Sequence, residues 1–164
     1  MKPILIASAA LLSTAAIALA HSGATGIVKE RMDQMGMIAK SMKTIGEMIK
    51  GKTQYDPAIV EVEAAKIARH GGETLTKLFP EGSIKKPSEA TPAIWTDWDR
   101  FSSIASDLSL YAAALSEGAG NDRANGAASL AGQSGDPGSL SPDELFGAVA
   151  KTCSACHEDF RQKK

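Results

Sequence analysis

Between Gly26 and Lys50 the apolar positions Val28, Met35, Met42 and Ile49 recur every seven residues, with Ile38 and Ile45 three after the inner two. That spacing keeps one face of a helix apolar and predicts a helix turned toward helical partners. Gly51 ends the pattern. Asp56-Pro57 supplies a cap and a first-turn proline for a second helix, predicted to run to about Leu78 with Val60, Ala64, Ile67, Leu75 and Leu78 inward. Phe79-Pro80-Glu81-Gly82 closes it, and residues 80–92, with three prolines, read as a connection crossing one end of the molecule. A third helix is predicted from about Pro92 to Glu117, with Trp98, Phe101, Ile104, Leu108, Tyr111 and Leu115 at helical spacing. Gly118 to Gly138, rich in Gly, Ala, Asn and Ser, reads as a mobile loop with one short helical turn around Arg123 to Ala131. Ser141-Pro142-Asp143-Glu144 then marks the sharpest helix start: a Ser cap, Pro at the first helical position and Glu three after Ser for a capping box. The fourth helix carries Leu145, Phe146, Val149, Cys153, Cys156 and Phe160 and ends basic at Arg161, Lys163 and Lys164. Four amphipathic helices with one longer connection predict an all-α, antiparallel four-helix bundle.

The first twenty residues stand apart: Lys2, an apolar run from Ile4 to Ala20, and small residues before the boundary at Ala20. They read as a secretory signal peptide, cleaved to leave residues 21–164 as one exported domain without membrane insertion. Loss of Lys2 with that leader leaves 17 basic against 19 acidic residues, a formal charge of −2. With no basic excess and no Lys/Arg run, nucleic acid is not a partner. Aromatics at 5% and abundant Ala favour helix over sheet.

Cys153 and Cys156 are the only cysteines, and with His157 they spell Cys-Ser-Ala-Cys-His. A structural disulfide three residues apart would close too small a loop to constrain the unfolded chain much. A thioredoxin-like dithiol needs a βαβ setting that the helical pattern does not offer, and zinc would need a fourth ligand for which no second Cys or His pair stands ready. The spacing fits c-type haem attachment, in which each thiol adds across a vinyl group and the next imidazole reaches the iron.

This motif on the last helix, followed by Glu158-Asp159-Phe160-Arg161, resembles the cytochrome c′ family, whose terminal helix reads C-x-x-C-H-x-x-aromatic-Arg. Lys29-x-Arg31, Gly51 through Asp56 and Pro92-Ala93-Ile94-Trp95 stand in the family's order, while the stretch from Gly118 to Gly138 is longer than its usual connection. The resemblance implies one covalent haem c, with Cys153 and Cys156 as anchors and His157 as the proximal iron ligand. It also places the distal residue four after Arg31, at Met35. In gas-binding members that position is bulky and apolar or aromatic; in a His/Met-ligated branch it is Met, and this sequence looks like that branch.

By spacing alone Met35 and Met42 share the inward face, about 10 Å apart along the axis, and either reads equally as core filler. Met37 is predicted to point outward. Arg31 reads as a propionate partner or a surface ion pair, and Arg161 as a neighbour of the proximal imidazole, a propionate partner, or a terminal charge serving the helix dipole. His70 is a weaker alternative ligand, Trp95 and Trp98 read as packing rather than an electron conduit, and Lys151, Lys163 and Lys164 are candidates to guide an acidic redox partner. The leading expectation is a periplasmic electron carrier, not an enzyme, whose low-spin iron is held by His157 and Met35 and which meets unidentified redox proteins. The alternative is a five-coordinate cytochrome binding or scavenging nitric oxide or carbon monoxide. The Ala-rich outer faces allow a homodimer, as the family often forms, without requiring one.

Overall fold

The computed structural model describes residues 23–123 and 140–163. The predicted signal peptide, its cleavage point and the turn expected around Arg123 to Ala131 therefore fall wholly or almost wholly outside the described residues. Among the described residues six helices appear in chain order: α1 (Gly26–Ile49), α2 (Pro57–His70), α3 (Gly72–Thr76), α4 (Ala93–Thr96), α5 (Trp98–Glu117) and α6 (Pro142–Phe160). The four long ones make a four-helix bundle. α5 sits centrally, packed on α2 on one side and α6 on the other, while α1 leans on α2 and meets α6 more lightly. Among the described residues the only strand-like pairing is an isolated antiparallel bridge between Ala90 and Arg161.

Two helices predicted as continuous are broken. The second was expected to reach Leu78, but α2 stops at His70 and α3 restarts at Gly72. The cause is close packing: a Cβ on Gly71 would lie 2.8 Å from the Ser109 backbone nitrogen on α5, and Gly72 takes φ +54°. Ser109 seals the gap by donating its Oγ hydrogen to the Ala68 carbonyl, at 2.9 Å. The third helix is split at Asp97, whose extended φ of −130° separates α4 from α5. That break lets Ile94 bury almost completely and lets Trp95 donate from Nε1 to the Phe79 carbonyl at 3.0 Å.

The first helix begins and ends where expected, with Gly51 at φ +68° just beyond it, yet its buried line is rotated from the predicted stripe. Val28, Ile38 and Ile45 are buried as expected, but Arg31, Gln34, Ser41 and Met48 complete the line, leaving Met35, Met42 and Ile49 half-buried at its edge. Polar side chains sit there because each has a partner. Gln34 Nε2 donates to the His70 carbonyl at 2.7 Å, and Ser41 Oγ donates to Glu63 at 2.6 Å.

The start of α6 agrees with the sequence in detail. Glu144 N donates to Ser141 Oγ, while the Glu144 carboxylate accepts from the Ser141 backbone at 3.0 Å and from its hydroxyl at 2.8 Å. α6 ends at Phe160, one residue before Arg161 turns extended. Phe101 of α5 forms the hub of the core, edge-on to Phe79 at 5.1 Å and to Phe160 at 5.4 Å between ring centres.

Candidate functional site

The last two turns of α6 carry the site. Cys153 and Cys156 are free, half-buried and packed against the same apolar core that Met35 and Met42 border from α1. Burial raises the pKa of Cys153, and it pushes Cys156 up to about 11, with the neighbouring Cys153 and Asp159 adding to the effect. Both sulfurs are therefore protonated at neutral pH. Protonated, shielded thiols are poor nucleophiles, unlike the low-pKa thiolates of redox dithiols. Among the described residues no group of three or more His, Cys, Asp or Glu side chains could hold a metal ion between them.

His157 follows directly. Partial burial lowers its pKa below the usual histidine value, the Arg161 guanidinium lowers it further, and Glu89 opposes both. A neutral imidazole is the form that binds iron. Two thiols one helical turn apart, with an imidazole on the next residue, supply the two thioether anchors and the axial nitrogen that haem c requires, so the donor set fits that group.

Arg161 and Glu89 lie beside it. Arg161 Nε donates to Glu89 Oε2 at 2.8 Å, and its terminal nitrogen reaches the same oxygen. The backbone reinforces the contact: Gln162 N donates to the Glu89 carbonyl at 2.7 Å, and Thr91 N donates to the Phe160 carbonyl at 2.9 Å. The chain entering α4 is thus stitched to the chain leaving α6. Glu89 carried no motif signal, because its role depends on a residue 72 positions away.

Arg31 lies on α1. Only 5% exposed, it donates from Nη2 to the Ser83 carbonyl at 2.8 Å and from Nη1 to Ser83 Oγ at 3.1 Å and the Leu78 carbonyl at 3.3 Å. Its guanidinium lies 4.7 Å from the Phe79 ring centre, and burial lowers its pKa. The surface ion pair that the sequence offered as one alternative does not form, because the residue is sunk beneath the turn closing α3. Met37 is exposed as expected, Trp95 packs on the core, and Trp98 is 40% exposed with its ring 5.5 Å from Phe101. His70 closes α2, its Nδ1 buried without a hydrogen-bond partner.

A helical bundle presenting a paired-thiol and imidazole motif on its last helix defines a c-type cytochrome. Comparison with known proteins narrows the class: the family model described as Cytochrome C' matches residues 26–161. A cytochrome c-554 of Cereibacter sphaeroides is 31% identical over 140 residues, covering 84% of this chain and 93% of that one. A cytochrome c-556 of Agrobacterium tumefaciens is 32% identical over 140 residues, covering 85% and 99%. The solved structure of cytochrome c′ from Rhodopseudomonas palustris matches with a TM-score of 0.67 at 27% identity, covering 86% of this chain and 99% of that one. This chain belongs to the cytochrome c′ family, and with it to the monohaem cytochromes that carry one covalent haem c and its iron, as electron carriers or gas binders.

Proposed function

We propose that this protein is a periplasmic monohaem cytochrome, not an enzyme, that binds a small gas such as nitric oxide or carbon monoxide at an iron held on one side by His157. Its support is the family model over residues 26–161, together with the 27% identity to the Rhodopseudomonas palustris cytochrome c′ over 86% of this chain and 99% of that one. This reverses the order of the two expectations drawn from the sequence. When bound, haem would supply a reversible one-electron couple and an iron able to take a diatomic ligand. Cys153 and Cys156 would fix the group to α6, His157 would orient it, and the apolar core behind them would keep water away. Export is supported by the leader-like first twenty residues, and among the described residues no helix is long and apolar enough to cross a membrane.

A second reading rests on Met35. It lies half-buried against the core, four residues after Arg31, where thioether sulfur would make the iron low-spin and suit the protein to carrying electrons between redox partners. The deciding experiment is the absorption spectrum of purified holoprotein, ferric and reduced, with and without carbon monoxide. A high-spin ferric spectrum and a shift with carbon monoxide are expected. A low-spin spectrum with a weak sulfur-to-iron band, unmoved by carbon monoxide, would replace the first reading by the second.

A further inference from the structure

The pair formed by Glu89 and Arg161 is not required by the haem-attachment motif, yet the fold invests several contacts in it. The Ala90–Arg161 bridge and the two flanking backbone hydrogen bonds, 2.7 and 2.9 Å, fix the two strands of chain in register. The Glu89 carboxylate then accepts two donors of one guanidinium through Oε2. Arg161 N also donates to the His157 carbonyl at 3.3 Å, so the guanidinium is rooted one helical turn from the imidazole.

We propose that Glu89 is a positioning residue for the haem site: it holds the Arg161 guanidinium and balances its charge beside His157, and so sets the reduction potential of the iron. This rests on the reading of Cys153, Cys156 and His157 as the haem-bearing residues. The physical basis is the sign of the local field. Reduction adds one electron to the iron–porphyrin unit, so a nearby cation favours the ferrous form and a nearby anion the ferric form. A paired guanidinium and carboxylate largely cancel; either one alone does not. The carboxylate's removal leaves the backbone bridge untouched, since that bridge uses main-chain atoms of residues 89–91.

The test is the midpoint potential of holoprotein for wild type, Glu89→Gln, Arg161→Gln and the double variant, with the helical circular-dichroism signal and reduced haem bands recorded for each. Glu89→Gln is expected to raise the potential, Arg161→Gln to lower it, and the double variant to return close to wild type, as the sum of two opposite charge removals, with the helical signal unchanged throughout. The proposal is overturned if the folded single variants leave the potential unchanged or move it in the same direction. Wild-type protein matured without thioether-linked haem bands would overturn the haem reading itself, and this inference with it, and is recognised before any variant is made.

Discussion

Met35 is the residue on which the two functional readings diverge. With an open iron, Met35→Ala should leave the ferric spin state unchanged and speed carbon monoxide uptake by the reduced protein, because a half-buried side chain has been cut back. A change from low to high spin on the same substitution would instead identify the sulfur as a ligand. Glu63 offers a prediction on pH. Its pKa is lowered first by its hydrogen bond from Lys66 and then by that from Ser41, below the ordinary value of 4.5. A carboxylate whose folded pKa is depressed adds stability above its unfolded pKa, and that contribution fades as pH falls through the folded value. The stability gap between wild type and Glu63→Gln, read from urea melts, should be present at pH 7 and shrink below about pH 4.5. A gap that stayed constant down to pH 3 would contradict it. Single residues were legible where their chemistry is local: Cys153, Cys156 and His157 lie within one turn of helix. Gln34 and Ser41 were not, since they bond residues 36 and 22 positions away and read in isolation as ordinary polar side chains, and Arg31 was singled out without its partners at Ser83 and Leu78, 52 and 47 positions on.

Helices obey the same division. The start of α6 could be read in full because capping residue, proline and glutamate are consecutive. Ser141→Ala should therefore cost about 1 kcal/mol in chemical denaturation; no loss would mean that the cap is redundant. The Gly71-Gly72 break was visible as a pair of glycines but had no local reason to end a helix whose apolar spacing continues to Leu75 and Leu78. Its reason is α5. A methyl group at position 71 meets backbone rather than a yielding side chain, so Gly71→Ala should destabilise the fold by roughly 1–3 kcal/mol. Thermal unfolding equal to wild type would show that α2 and α5 can separate to admit it. Asp97 is harder still: nothing around it forbids a continuous helix, and only the burial of Ile94 and the Trp95 contact with Phe79 explain the kink.

For the molecule as a whole, helical periodicity revealed the bundle and the order of its long helices, but not how their ends are joined. Arg123 does much of that joining. Its guanidinium takes both oxygens of Asp143 at 2.7 and 3.0 Å, donates to the Ile49 carbonyl at 3.0 Å and lies 4.4 Å from the centre of the Tyr55 ring. Tyr55 in turn donates to the Ala119 carbonyl at 2.7 Å. One side chain thus links the end of α1, the turn before α2, the exit of α5 and the first turn of α6. Arg123→Ala should lower stability by roughly 1–2 kcal/mol, a contribution tempered by partial exposure to solvent. A melting temperature unchanged from wild type would show that these ends hold without it.

That knot has a consequence for how α6 is held. Asn121 donates to the Leu140 carbonyl at 3.0 Å, and Arg123 grips Asp143, so the two ends of segment 124–139 are fastened to each other by their own flanks. The seating of α6 and its Cys-Ser-Ala-Cys-His sequence on α5 is therefore clasped by side chains at both flanks, Asn121 and Arg123 on one side and Leu140 and Asp143 on the other.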